Sequence, residues 1–392
     1  MGLLVAEAGL ADQPSRGQRP AGAPLAGVRV LEFESIGPGP FAAMLLARYG
    51  ADVLQLRRPG RSNPVDGVGR AAHAAGRPAL TVDLKSPVHR QLVLDLVGNA
   101  DVVLEGMRPG VMERLGYGPT ELLARRASLV YARMTGYGQS GPLAHAPGHD
   151  INYLALSGVL GALGREGERP LFPLNLLGDY AGGGCLAALG VLAALLESRR
   201  SGRGQVVDAA MIDGVAQLAT SIFGLVSTQT WGPRGTNVLD SGAPFYDVYE
   251  TADGGFVAVG ALEPQFYARL CELLHVAPDS VPQWDRARWP DTRATFAAAF
   301  RSRTRDEWSE LAGSRDACVT PVLDLAEAPH HPHHVARESF YRSGPWLLPR
   351  TAPRFDREDA HVHDEGCTAD VLESWGLEPA RIEAVRETLA PS

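Results

Sequence analysis

At 392 residues the chain exceeds one typical core and predicts two domains. Its composition, 45% apolar and 21% charged, is that of an ordinary globular protein. A net charge of −8, with basic residues adjacent only as the pairs Arg57-Arg58, Arg125-Arg126 and Arg199-Arg200, excludes a general nucleic-acid binder.

Residues 1–24 are rich in Gly, Pro and Ala without periodicity and predict a disordered tail. There is no basic-then-apolar leader, and no apolar run is expected to reach the roughly 18 residues of a spanning helix. Leu186–Leu196 is interrupted by Gly190 and stops at Glu197. The four cysteines form no CxxC pair and read as reduced thiols. The expectation is a cytoplasmic protein without a membrane span.

Order begins with a strand at Gly27–Phe33, a Gly37-Pro38-Gly39-Pro40 turn, a helix at Phe41–Tyr49 and a strand at Asp52–Leu56. The alternation continues with strands at Leu80–Leu84, Asp101–Leu104 and Leu129–Met134, and helices at Val88–Val97 and Val111–Leu115. Repeated β-α-β units predict an α/β fold with a mainly parallel sheet and helices on both faces. The Gly37–Pro40 turn lacks the third glycine of a dinucleotide fingerprint, and its prolines remove amide donors, so no NAD or FAD is expected.

Beyond residue 150, helices are predicted at Asp150–Ser157, Ala181–Ser198 and Val215–Phe223, with a strand at Gln205–Ala210. A hairpin follows, Phe245–Glu250 and Phe256–Val259 about the turn Ala252–Gly255. Helices at Phe266–Leu274 and Thr292–Phe300 and a strand at Cys318–Leu323 complete a smaller α+β domain. The last sixty or so residues, rich in Pro, His and Arg, are expected to wander over the surface.

Three segments set an ionisable residue beside glycine or proline where a loop meets a helix: Gly148–Tyr153, Gly178–Gly184 and Leu262–Gln265. Asp179 is expected just ahead of a glycine-rich helix start, whose free amides would face a ligand that the glycines let approach closely. Its carboxylate is open to three roles: general base, acyl-anhydride nucleophile, or plain helix cap. An imidazole ordinarily titrates near neutrality, so His149 suits a proton shuttle, although a lone histidine is more often structural. Glu263 precedes Pro264, so its backbone is expected to be extended at a strand-to-helix corner. His330, His331, His333 and His334 form a cluster that Pro332 interrupts, and no metal site is expected.

Gly148-His149-Asp150-Ile151-Asn152-Tyr153, the Gly-Asp-x-x-Gly-Gly-Gly run at 178–184, Gly204–Met211, Gly242–Asp247 and Ala261-Leu262-Glu263-Pro264-Gln265-Phe266-Tyr267 together resemble the α-methylacyl-CoA racemases, a branch of the family III CoA-transferase superfamily. The resemblance runs from about Gly27 to Phe355. The aspartate segment is common to the superfamily, whereas the histidine and glutamate segments resemble the racemase branch. The implied reaction is a 1,1-proton transfer at the α-carbon of a 2-methylacyl thioester, with Asp179 on one face and His149, oriented by Glu263, on the other. Amides near Asp179 would hold the enolate oxygen. A transferase using Asp179 as nucleophile, or an epimerase on a related biosynthetic thioester, is the alternative.

The resemblance also implies a Rossmann-like large domain at 25–225, a small α+β domain at 226–330, a segment 331–392 returning to the large domain, and an interlocked homodimer in which Glu263 comes from the partner. Coenzyme A enters as part of the substrate, with no further cofactor. Its expected contacts are Gln55, Arg58, Asp83, Leu84, Lys85, Val102 and Arg108, and within the histidine segment Gly148, Asp150, Asn152 and Tyr153. Gln55 stands where such racemases usually carry a phosphate-facing arginine. A glutamine cannot neutralise a phosphate, although Arg57 and Arg58 are near.

Overall fold

The computed structural model describes residues 23–60, 72–73, 77–313, 315–356 and 368–386. The predicted tail lies outside these, Ala23 and Pro24 apart. The chain divides into two compact units, the larger running to Ser157 and then taking Pro173–Leu218 and everything from His333. The smaller takes Gly158–Phe172 and Ala219–Pro332.

The larger unit is built on six strands, β1 (Arg29–Phe33), β2 (Asp52–Arg57), β3 (Ala79–Thr81), β4 (Val102–Glu105), β5 (Val130–Thr135) and β6 (Gln205–Ala210). All pair in parallel, in the order β3-β2-β1-β4-β5-β6. Strands covered on both faces read as nearly continuous apolar runs, and this sheet divides its side chains between two cores. Leu31, Phe33, Leu54 and Tyr131 enter one core, and Val30, Val53, Leu104 and Ala132 the other. The order reverses between β1 and β4, where the loops leaving their carboxyl ends meet: a Cβ on Gly106 would stand 2.7 Å from that of Ser35. Open parallel sheets place ligands at such a reversal.

Helix α1 (Pro38–Arg48) begins three residues before its predicted start, because proline at a first helical position has no useful amide to lose. It is followed by α2 (Pro87–Asn99), α3 (Val111–Leu115), the unpredicted α4 (Pro119–Arg125) and α5 (Asp150–Leu156). A π-helix spans Leu176–Cys185 and runs directly into α6 (Leu186–Ser201), after which β6 leads into α7 (Met211–Leu218). The continuous helix Leu176–Ser201 is long and apolar enough, by length and composition, to cross a membrane, and half of its most apolar 18-residue stretch is buried inside the protein. The expectation that no run reaches this length is thereby corrected: Leu176–Gly184 extends the run that begins at Leu186. Ala187, Val191, Ala194 and Leu195 pack it into the core on the sheet.

The smaller unit holds α8 (Thr220–Ser227), then the antiparallel strands β7 (Tyr246–Glu250), β8 (Phe256–Gly260) and β9 (Val319–Pro321), with α9 (Pro264–Leu274), α10 (Trp289–Phe300) and α11 (Arg305–Gly313). Phe245, Tyr249, Phe296, Phe300 and Trp308 form its core. Gly158–Phe172 belongs here because Arg165 reaches Asp247 at 2.9 Å and Arg234 reaches the Gly161 carbonyl at 2.9 Å.

The C-terminal stretch carries the hairpin β10 (Phe340–Ser343) and β11 (Trp346–Pro349), then α12 (Thr368–Ser374) and α13 (Pro379–Arg386). It does not wander over the surface as expected. Leu372 and Trp375 are fully buried in the same core as Leu31 and Leu96. Burying a tryptophan this way contributes roughly 3 kcal/mol.

Candidate active site

The segment Gly148–Tyr153 uses most of its polar side chains on itself. His149 occupies the cap position of α5 with extended backbone, and its amide donates to Asn152 Oδ1 at 3.0 Å. The Tyr153 hydroxyl donates to the Gly148 carbonyl at 2.5 Å, and its ring stands edge-on to Tyr137 at 4.9 Å. Gly148 is a glycine because a Cβ there would lie 2.8 Å from the Tyr153 ring and 3.0 Å from the Tyr137 hydroxyl. Burial pushes the Tyr153 phenol up to about 12, helped by the charges of Asp179 and Asp150 and opposed by Arg108. This packing leaves the His149 side chain exposed on a fixed turn.

Asp150 faces the other way. It is only 5% exposed, and its Oδ2 accepts the amides of Gly178 at 2.6 Å and Asp179 at 2.8 Å. The residue after His149 is therefore bound to the backbone of Asp179, and the two predicted stations meet through it. The Asp179 carboxylate is half-buried, receives Asn175 Nδ2 at 3.1 Å and lies against Gly37, where a Cβ would be 3.1 Å from Oδ2. Gly37 has φ 68, a conformation that favours glycine in any case. Burial raises the Asp179 carboxyl above its ordinary value; Asn175 opposes this, the Asp150 charge adds to it and the His149 charge opposes it.

Two expectations about this aspartate are corrected. Asp179 lies inside a helical turn rather than ahead of one, and its amide is taken by Asp150, so it does not offer a free oxyanion donor. Nor do the glycines open the backbone to a ligand. Gly182, Gly183 and Gly184 are buried against neighbouring helices, with Cβ positions 2.8 Å from the Val215 amide, 2.9 Å from Met211 and Pro38, and 2.7 Å from Phe41. Gly214 of α7 meets Gly182 so closely that a Cβ would stand 1.9 Å from its carbonyl oxygen.

The expected coenzyme A contacts separate into two sets. Arg108 and Lys85 are exposed, and Arg58 is partly so, its amide held by Glu34 at 2.9 Å. Asp83 is exposed but folds onto the Lys85 amide at 3.0 Å, while its own amide reaches His89 at 2.9 Å. Leu84 is a core side chain whose carbonyl accepts the Tyr117 hydroxyl at 3.2 Å. Val102 is wholly buried in β4 and presents no side-chain surface to a ligand, which corrects its expected role. Gln55 is 2% exposed, with Nε2 on Glu32 at 3.0 Å and Oε1 holding Arg57 Nε at 2.8 Å. It serves a buried network that Arg77 joins at Glu32, rather than facing a phosphate.

Sequence reasoning missed Asn175 and the ion-pair network at Glu105. Asn175 lies four residues before Asp179, a spacing that shares one helix face, and it goes unseen when the helix is started at Ala181. At the end of β4, Glu105 accepts the Met107 amide at 2.7 Å and Arg133 at 3.0 Å, and Arg133 reaches Glu113 at 2.8 Å. Burial pushes Glu105 up to about 7, against the pull of Met107 and Arg133. Glu263 lies in the smaller unit, exposed at the cap of α9 with the extended backbone expected before Pro264. Of the histidine cluster, the rings of His333 and His334 are 6.0 Å apart and His334 packs on Phe340.

The model of CoA-transferase family III matches residues 25–366. Alpha-methylacyl-CoA racemase of Mus musculus is 47% identical over 369 residues, covering 91% of this chain and 95% of its own. The Homo sapiens racemase is 44% identical over 365 residues, covering 90% and 94%. A solved structure of Rv3272 from Mycobacterium tuberculosis, named a probable fatty acyl-CoA transferase, superposes with a TM-score of 0.74 at 29% identity, covering 87% of this chain and 95% of its own. A CAIB/BAIF family protein from Brucella suis shares the fold, with a TM-score of 0.75 at 23% identity over 93% and 99% of the two chains. The chain belongs to the family III CoA-transferases.

Proposed function

We propose that the chain is an α-methylacyl-CoA racemase, interconverting (R)- and (S)-2-methylacyl-CoA through an enolate. The observation that carries this reading is the junction of the two segments: the Asp150 carboxylate, next in the chain to His149, holds the amides of Gly178 and Asp179. The high identity to proteins named racemases supports it.

In one direction Asp179 takes the α-proton, and the electron pair moves onto the thioester oxygen as an enolate. The His149 imidazolium then delivers a proton to the opposite face. Asp179 ends protonated and His149 neutral, and the reverse turnover or exchange with water resets them. An α-proton beside a thioester is a weak acid, so a carboxylate more basic than usual narrows the gap it must bridge. Since the Gly178 and Asp179 amides are taken, the enolate oxygen needs another donor. The amides of Asp150 and Ile151 in the first turn of α5 have no acceptor among the described residues, and they stand beside His149. One such donor is worth roughly 3 kcal/mol in the transition state. No cofactor is required beyond the coenzyme A that the substrate carries.

We read the larger unit as Rossmann-like on its strand order, with the coenzyme held by Arg108, Lys85, Arg58 and the Arg57 that Gln55 orients. A homodimer is supported by large apolar side chains left on the surface, Leu189 and Leu196 on α6 and Phe223 and Val226 on α8. Glu263 of the partner orienting His149 is tested by co-expressing Asp179→Asn and Glu263→Gln chains. Regained activity supports a shared site, and none argues that each chain is self-contained. The exposed free thiols Cys185 and Cys318 favour a reducing, cytoplasmic setting.

The second reading, a CoA-transferase with Asp179 as nucleophile, is favoured by the likeness to relatives named CoA-transferases, the mycobacterial protein among them. Incubation of a 2-methylacyl-CoA with the protein in D2O separates the two. Deuterium at the α-carbon without any acid acceptor is the racemase result; turnover only when a free acid is added contradicts it.

A further inference from the structure

We propose that Asp150 is a positioning residue for the proton transfer: its carboxylate clamps the Gly178–Asp179 backbone and stands as a second negative charge beside the base. The inference rests on the racemase reading and assigns a role to a side chain that the sequence placed among coenzyme A contacts.

The geometry is specific to a carboxylate approached by glycine. Oδ2 takes two successive amides, and a Cβ on Gly178 would stand 2.5 Å from it, so only glycine lets Asp150 come this close. These amides belong to the first turn of the π-helix, where no carbonyl of the same helix can reach them. Asp150 satisfies them from another element. It thereby fixes where Asp179 sits relative to His149, its own neighbour in sequence. Oδ1 is buried and has no hydrogen-bond partner among the described residues.

The groups that bear on Asp179 are His149, Asp150 and Tyr153 from α5, Asn175 from its own helix, and Arg108 behind Tyr153. Asp150 contributes the like charge. Burial first, and then this neighbouring carboxylate, disfavour the charged form of Asp179 and keep it a stronger base. Asp150 thus fixes the position of Asp179 and adds its charge to the burial that raises the carboxyl.

The test is the rate of α-deuterium uptake against pH in Asp150→Asn and Gly178→Ala. In Asp150→Asn the amide oxygen keeps both backbone bonds but the charge is gone. The acid limb of the profile moves down by roughly one pH unit and the plateau falls about threefold, while the unfolding midpoint stays near wild type. In Gly178→Ala the charge remains but the clamp is displaced, and the plateau falls about tenfold or more. An Asn variant with an unmoved limb and wild-type plateau overturns the charge role. An Ala variant with wild-type kcat overturns the clamp, and is decisive even if the Asn variant does not fold. Absence of deuterium uptake in the wild type at every pH defeats the racemase reading itself, which is a different result.

Discussion

The turn at His149 and the π-helix at Asp179 hold their proposed proton-transfer side chains by opposite means. The histidine turn is made of side chains: Asn152 caps the His149 amide, Tyr153 binds the Gly148 carbonyl, and the imidazole is left facing out. The aspartate turn is made by their absence. Four glycines bring its backbone against Asp150, α1 and α7 until no Cβ fits, and the carboxylate ends half-buried. A station built from hydrogen bonds tolerates trimming, whereas one built from backbone contact does not tolerate a methyl group. The chemistry matches the construction: the exposed group is the imidazole, and the group that burial makes more basic is the carboxylate.

The sharpest way to break this contrast is Gly214→Ala. The added Cβ would meet the Gly182 carbonyl at 1.9 Å, a backbone atom that cannot swing aside. We expect a loss of about 3 kcal/mol or more in urea unfolding. A wild-type midpoint would mean that the glycines are not what seats the aspartate.

The next effect concerns the buried Glu105 that binds the Met107 amide and Arg133. Glu105 titrates near 7 in the folded protein and near 4.5 when free. Between these values the folded state keeps a proton that the unfolded chain has lost. Its contribution is fully present below about pH 4.5 and declines as pH rises toward 7, by on the order of 3 kcal/mol. Comparing unfolding free energies of wild type and Glu105→Gln across that interval isolates the slope, which the glutamine removes. Parallel curves contradict the assignment.

Trimming the histidine turn is expected to cost less. Tyr153→Phe deletes one hydrogen bond to Gly148, worth about 1 kcal/mol, and leaves the ring packed on Tyr137. Its unfolding midpoint should fall slightly and kcat several-fold, with KM nearly unchanged. A loss as large as that of Gly214→Ala would erase the distinction between the two stations.

Much of this was legible in the chain. The strand Gln205–Ala210 and the helix Val111–Leu115 coincide with their predicted bounds, because apolar runs between turn residues leave little freedom in where they start and stop. The helix carrying Asp179 was started too late, at Ala181, because Gly178-Asp179 reads by propensity as a cap ahead of it, although tertiary packing makes the chain helical from Leu176. The same override hid Asn175. Trp375 was taken for surface because its Pro- and Arg-rich surroundings conceal that it closes a core begun some 340 residues earlier. Val102 and Gln55 were taken for ligand contacts where the sheet buries them. Sequence position marks the strand but not which face of it is covered.

The central claim is that Asp179 and His149 serve opposite faces of one carbon. It is tested most directly by following deuterium uptake from D2O into each pure enantiomer of a 2-methylacyl-CoA with Asp179→Asn and His149→Ala. Each variant should fail to racemise yet still exchange one enantiomer, and the enantiomer should differ between the two. If both variants exchange the same enantiomer, or either still racemises at the wild-type rate, the two-station account is wrong.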